Sequence, residues 1–209
     1  MPTKGERTRE TILSIAESLI LTNGYSGTSI DQIISESGIT KGGFFYHFDG
    51  KNDLARNLML RYLEQDAIFF NSLFDRARDL TDDPLQQMLI FVKLLAEQMA
   101  DMPNTHPGCL VASFTYESNK LSDDVRKLTA EGIRSWRDVF ASQLGLAAQR
   151  YPLQADISID DLADMLTSVI EGGIVLSRAL NNKNILPAQL LQYRNYLRLV
   201  FSQEAASAD

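Results

Sequence analysis

Residues 28–54 read TSIDQIISESGITKGGFFYHFDGKNDL, and this stretch decides the fold. It spells two short helices joined by a tight turn, then a polar break and the start of a third helix. Thr28 is placed to open the first helix, its hydroxyl capping the free N–H groups, with Asp31 three residues on as a capping-box-like partner. Ile30, Ile33 and Ile34 fall at i, i+3 and i+4 and form one buried face. Ser37-Gly38 ends the helix, because glycine accepts the left-handed conformation of a tight helix exit. Ile39 fills the angle between the helices, Thr40 caps the second, and Phe44 and Phe48 anchor it. The pattern is a helix-turn-helix with the glycine-containing turn expected of one.

The second short helix carries Thr40, Lys41, Gly42, Gly43, Tyr46 and His47, with Lys51 just beyond it. Small, polar and aromatic hydrogen-bonding residues on a short helix suit a DNA major groove. Thr40, Lys41, Gly43, Tyr46 and His47 are therefore expected near base edges and phosphates, and Thr28 and Lys51 on phosphates. Gly42 and Gly43 would let the backbone approach the groove closely. For the aromatic residues the competing role is core packing, which fits Phe44 and Phe48, fits Phe45 equally with exposure, and fits Tyr46 poorly.

The match extends outward. Residues 8–54, TRETILSIAESLILTNGYSGTSIDQIISESGITKGGFFYHFDGKNDL, resemble the N-terminal domain of the tetracycline-repressor (TetR) family of transcriptional regulators. The resemblance rests on Thr11-Ile12-Leu13 and Ala16, on Asn23-Gly24-Tyr25, and on Thr28-Ser29 and Ile33. It continues through Ser37-Gly38-Ile39-Thr40-Lys41-Gly42, His47-Phe48, Lys51 and Leu54. It covers about a quarter of the chain by motif, and the rest by helical topology only. Two positions depart from the family pattern: Phe45 stands where a tyrosine usually reaches a backbone phosphate, and Ile34 where alanine is usual. The resemblance implies a homodimer on a palindromic double-stranded DNA operator, with repression as the usual mode and a small-molecule effector bound among the middle helices.

Composition agrees with such an organisation. A chain of 209 residues, 44% hydrophobic and 22% charged, is long enough for a small head and a larger domain with its own core. The expected architecture is all-α, with a three-helix DNA-binding head over residues 1–54. A helical bundle for effector binding and dimerisation follows over residues 55–209. No apolar run approaches the ~18 residues of a membrane span, and the start MPTKGERTRE lacks the apolar core of a secretory signal. The single cysteine fits a reducing cytoplasm, and no membrane partner is expected. The net charge of −7 is uneven. Residues 1–51 are nearly neutral, with Lys4, Arg7, Arg9, Lys41 and Lys51 against six acids, so most of the negative charge lies in the body.

Beyond the head the chain reads as helices. The leading helix carries Ile12, Leu13, Ala16, Leu19 and Ile20 on one face and stops at Gly24; a long helix starts near Asn52. Asp83-Pro84 starts another helix, and Ser122-Asp123-Asp124 and Ser158 with Asp161 cap two more. The latter runs through Asn181, and Pro187 opens the last helix. The last two helices hold more apolar residues than one partner helix can cover. Leu166, Ile170, Gly173, Ile174, Leu190, Leu197, Val200 and Phe201 are therefore expected at a two-fold interface, with Gly172-Gly173 allowing close helix approach there.

Candidate effector-lining residues are Phe91, Leu95, Met99, Phe114, Glu117, Trp136, Phe140 and Glu171, although such a stripe also suits plain core. Glu117 and Glu171 could counter a cationic ligand or act as ordinary capping carboxylates. Cys109, after His106-Pro107-Gly108, falls in the first turn of a helix, where the dipole lowers a thiol pKa. That makes a thiol-based electrophile or oxidant sensor of the same architecture an alternative, against a buried, inert cysteine. An enzyme is disfavoured: the only histidines are His47 and His106, with no metal-ligand spacing, no catalytic constellation and no cofactor motif. A helical protein-binding adaptor would leave residues 28–54 unexplained.

Overall fold

The computed structural model describes residues 3–154 and 156–201. Among these residues the chain forms nine α-helices and no β-strand: α1 (Lys4–Gly27), α2 (Ile30–Ser37), α3 (Lys41–His47), α4 (Lys51–Leu80), α5 (Pro84–Asp101), α6 (Leu110–Tyr116), α7 (Asp123–Arg150), α8 (Ile159–Ala179) and α9 (Ile185–Val200). The all-α class expected from the sequence is the class observed. No helix among the described residues is long and apolar enough to cross a membrane.

The described chain divides into two compact units. One comprises the residues up to Asp66 together with Pro107–Ile133, the other Ala67–His106 with the residues from Arg134 onward. In the first unit, Ile12, Leu13, Ala16, Leu19 and Ile20 of α1 are buried, as their spacing predicts, and so are Ile33, Phe44, Phe48, Leu54 and Leu58. Helix α1 contacts both α2 and α6. Arg61 of α4 pairs with Glu10 and Glu17 of α1, and Arg9 donates to Asn57 at 2.6 Å, so polar ties join these two helices.

Helix α1 does not stop at Gly24. It continues to Gly27 through a kink at Gly24, whose φ of 78° and ψ of 164° belong to a region open essentially to glycine alone. A Cβ at Gly24 would also lie 2.7 Å from the Glu117 Oε1 atom. The sequence places a glycine there for two separate reasons, a backbone conformation and a close neighbour.

In the second unit α9 lies against α5 and α8. The buried Tyr193 hydroxyl donates to the Leu162 carbonyl at 2.8 Å, and burial pushes its phenol pKa up. Arg137 of α7 donates to both carboxylate oxygens of Asp164 of α8, at 2.7 and 2.5 Å. Four rings form the apolar layer: Phe74 stacks on Phe91 at 3.9 Å, while Phe70 meets Phe140 edge-on at 5.3 Å. Asp83 caps α5 through the Gln86 N–H at 2.9 Å, with Pro84 in the first turn, and Ser158 caps α8 through the Asp161 N–H at 3.0 Å. Two boundaries differ from expectation. Helix α8 ends at Ala179, before Asn181 with its φ of 46°, and α9 begins at Ile185, so Pro187 lies inside its first turn.

Candidate nucleic-acid interface

The α2–turn–α3 element is built as the sequence suggests, with one correction at its start. Ser29, not Thr28, caps α2, accepting the Gln32 N–H at 3.1 Å. Thr28 is the C-cap of α1; its side chain is fully buried and its hydroxyl donates to the Gly24 carbonyl at 2.9 Å. The kinked end of α1 claims Thr28 first, so its hydroxyl is turned inward from any phosphate, and Asp31 occupies no capping-box position. Gly38 takes the left-handed conformation (φ 64°, ψ 25°), and its N–H reaches the Ile34 and Ser35 carbonyls. Thr40 then caps α3 through the Gly43 N–H at 3.1 Å.

Phe44 and Phe48 of α3 are buried, as expected, and fix which side of the helix faces outward. At 100° per residue Gly42 and Tyr46 lie opposite them, with Lys41 and Phe45 on one flank and Gly43 and His47 on the other. Tyr46 is 83% exposed and touches the His47 ring edge-on at 5.0 Å; Phe45, resting edge-on against Phe44, is 44% exposed. A Cβ on Gly42 would meet nothing within 4 Å, whereas one on Gly43 would press on the capping Thr40 hydroxyl at 3.3 Å. Gly43 is thus explained by the cap. Gly42 leaves an open notch on the outermost ridge.

Lys51 is placed differently from expectation. Its ammonium donates to the Tyr25 carbonyl and sits 4.3 Å from the centre of the Tyr25 ring. Partial burial lowers its pKa, and the nearby Glu117 charge opposes that shift. In this structure Lys51 fastens the start of α4 to the kink of α1 and presents no unoccupied charge to a phosphate. Glu117 completes that junction. Its carboxylate accepts the Tyr25 N–H at 2.6 Å and the Ser26 N–H at 2.9 Å, the two donors freed by the Gly24 kink. The Ser26 side chain and these backbone donors hold its pKa below the usual carboxylate range. Phe114 of α6 meets the Tyr25 ring edge-on at 5.6 Å. In the sequence this junction shows only as a glutamate on an otherwise apolar segment.

The candidate effector residues are divided between the two units. Phe114, Glu117 and Cys109 belong to the first, where the Glu117 carboxylate is engaged by the Tyr25 and Ser26 N–H groups. Cys109 is 5% exposed and is itself the N-cap of α6, its sulfur accepting the Ala112 N–H at 3.4 Å. Phe91, Leu95, Met99, Trp136, Phe140 and Glu171 belong to the second, where Phe91 and Phe140 are part of the ring layer. A cleft of about 450 Å³ in the first unit has Arg61, Glu10 and Glu17 in its wall, and one of about 410 Å³ in the second has Phe74, Gln87 and Gln143; none of the candidate residues lines either. Among the described residues no group of three or more His, Cys, Asp or Glu side chains is arranged to hold a metal ion.

The residues expected at a two-fold interface are internal to the protomer. Leu166, Gly173, Ile174, Leu190, Leu197, Val200 and Phe201 are buried and Ile170 is half-buried, because α8 and α9 bury these faces within their own unit. A Cβ on Gly173 would come within 2.7 Å of Leu186, so the close approach it permits is intramolecular. The apolar side chains that α8 and its C-cap leave exposed include Met165, Val175, Leu176 and the capping Leu180, and Gly172 lies open among them.

Comparison with known proteins agrees with both parts of the chain. Residues 12–58 match the family model for bacterial regulatory proteins of the tetR family, and residues 84–189 match the tetracyclin repressor-like C-terminal domain. The HTH-type transcriptional regulator YxaF of Bacillus subtilis (strain 168) is 30% identical over 195 residues, 91% of this chain and 94% of that one. The HTH-type transcriptional regulator LmrA of the same organism is 29% identical over 182 residues, 86% of this chain and 89% of that one. Among solved structures, a TetR-family transcriptional regulator from Agrobacterium tumefaciens shares the fold, with a TM-score of 0.77 at 24% identity, covering 95% of this chain and all of that one.

Proposed function

We propose, for a chain that belongs to the tetracycline-repressor (TetR) family of bacterial regulatory proteins, the role of a dimeric repressor that leaves its operator when a small molecule occupies its body. The chain is a DNA-binding transcriptional regulator and not an enzyme. The division of labour is a DNA-reading head over residues 1–54 and a sensing, dimerising body over residues 55–209.

The observation that carries the DNA reading is the outward ridge of α3. Lys41, Gly42, Tyr46 and His47 lie on a short helix whose opposite side is locked into the core by Phe44 and Phe48. Among the described residues no packing contact accounts for a bare glycine on the same ridge as a tyrosine that is almost fully solvated. A major groove accounts for both: the notch admits the groove edge to the backbone, and the Tyr46 hydroxyl and His47 offer hydrogen bonds to bases or phosphates. Thr40 and Gly43 then shape the helix start, and Lys41 supplies a phosphate contact.

One α3 reads few base pairs, and a dyad doubles the site into a palindrome with half-sites about 34–36 Å apart. The exposed stripe of α8, Met165, Gly172, Leu176 and Leu180, supports dimerisation through that helix, with Gly172 at the crossing point. The test selects genomic fragments with the purified protein and measures their affinity for the wild type and for Tyr46→Ala and Lys41→Ala. The reading holds if Tyr46→Ala changes which fragments are preferred while Lys41→Ala weakens all of them alike. Selection of no discrete sequence by the wild type would sink it.

A further inference from the structure

The outward side of α3 carries an aromatic ring that can make no conventional hydrogen bond. Phe45 is 44% exposed, and its ring rests edge-on against the buried Phe44, with centroids 5.3 Å apart. That contact presents the ring at a fixed angle. Phosphates are met by charged and hydrogen-bonding groups, so such a ring offers them little. The standard bases show one apolar feature in the major groove, the C5-methyl group of thymine.

The neighbours of Phe45 suit a group of that size. Gly42 stands three residues before Phe45 and four before Tyr46, so both rings are its neighbours on the helix surface. Side chains of a helix lean toward its N-terminus, which brings the two rings over the turn that Gly42 occupies. A Cβ at Gly42 would meet nothing within 4 Å. What glycine lacks is one methyl group, and that space is left open beside two aromatic side chains. The backbone does not require the glycine, since Gly42 has no positive φ, and alanine would favour the helix. We infer that Phe45, with the gap at Gly42, reads the C5-methyl group of a pyrimidine, thymine or 5-methylcytosine, in the major groove of the operator. The inference rests on the DNA-reading role proposed above and names a base feature that α3 selects.

The test takes a genomic fragment selected by the full-length protein. Each thymine and its dyad mate are replaced in turn by deoxyuridine, which lacks only the methyl group. Affinity is followed by fluorescence anisotropy at one salt concentration. At one position the exchange should weaken wild-type binding about fourfold per half-site and about fifteenfold for both, as suits one buried methyl group. Bromodeoxyuridine, whose bromine fills the methyl volume, should restore it. Phe45→Ala should bind the thymine and deoxyuridine fragments alike. Because Phe45 also leans on Phe44, Gly42→Ala serves as a second variant. It favours the helix and places a methyl group of the protein in the gap, so it too should lose the preference. The readout is a ratio of two affinities, which does not depend on the fraction of protein that folds. Replacing each cytosine by 5-methylcytosine separates the two sources: a loss with deoxyuridine assigns thymine, and a gain with 5-methylcytosine assigns the methylated base. The inference is overturned if neither exchange alters affinity by more than about twofold, well short of one methyl group per half-site. A full ratio retained by either variant also overturns it. In both cases the regulator reading stands, because the wild type still selects discrete sequences. Selection of no discrete sequence overturns the two together.

Discussion

The junction of Gly24 with Glu117 can be tested by a double-mutant cycle whose sign follows from geometry. Gly24→Ala puts a side chain where the backbone is open essentially to glycine, at a cost of about 1–3 kcal/mol. Its Cβ would also lie 2.7 Å from Glu117 Oε1. That atom ends a flexible side chain and can move away, but only by giving up the Tyr25 and Ser26 N–H groups. Charge-assisted bonds of this partly exposed kind contribute about 2 kcal/mol together. Gly24→Ala alone should therefore cost about 4 kcal/mol, and Glu117→Ala alone about 2 kcal/mol. The double variant has no carboxylate left to displace, so it should cost about 4 kcal/mol and not the additive 6, a coupling of about 2 kcal/mol. Equilibrium urea unfolding of the three variants and the wild type measures each corner. Strict additivity would refute the claim that the carboxylate and the kink form one unit.

Four further outcomes are expected. Glu117 has a folded pKa below its ordinary 4.5, chiefly through the Ser26 side chain, so its stabilisation is complete above that value and lost as pH falls through the lowered one. Melting temperature followed across the acid range should show this component in the wild type and lack it in Glu117→Ala. Operator affinity should fall with salt at a logarithmic slope of about −5, from Lys4, Arg7 and Lys41 on each of two heads at about −0.9 each, and Lys41→Ala should reduce the slope by about 2. Leu166→Ala should destabilise the protomer by about 2–5 kcal/mol in thermal unfolding, as a buried leucine does; Leu176→Arg should leave it folded but monomeric in light scattering. Cys109 should react with a thiol alkylator far more slowly in the native protein than in urea, and Cys109→Ser should keep the α6 cap and full DNA binding.

The helical class, the α2–turn–α3 element and the inner role of Phe44 and Phe48 were legible in the sequence because they rest on local rules: periodicity, capping and a left-handed glycine. What was not legible depends on long-range competition for the same groups. Thr28 looked like a cap because the sequence cannot tell which of two adjacent residues the preceding helix will claim. Lys51 looked like a phosphate ligand because nothing local shows that Tyr25, 26 residues earlier, offers it a carbonyl and a ring face. The apolar residues of α8 and α9 outnumber what one partner helix covers, but periodicity does not say which face meets a neighbour in the same chain. Leu166, Ile174 and Leu190 took that face, leaving Met165, Leu176 and Leu180 outside. Gly172 and Gly173 look alike in sequence and differ completely in space: a Cβ would strike Leu186 at one and nothing at the other.

The distribution of charge in the head explains how a chain of net charge −7 can read DNA without adhering to it. Several cations in and just beyond it are spent internally: Arg9 on Asn57 and Lys51 on the Tyr25 carbonyl in the head, and Arg61 on Glu10 and Glu17 and Arg56 on Asp124 just after it. What remains to meet phosphates is Lys41 and the first turns of α1, with Lys4 and Arg7. Three cations per head supply only part of the sequence-independent affinity that lets basic proteins coat nucleic acid. On the proposed reading the rest comes from contacts that exist only at the right bases, made by the ridge of Gly42, Tyr46 and His47, and from doubling that ridge across a dyad. In the proposed dimer, a head of such modest phosphate affinity is also one that a change in the separation of its two copies would release, since phosphate attraction alone would not hold a misaligned pair on the operator. In the proposed dimer, modest electrostatics and switchable binding would be the same property of the sequence.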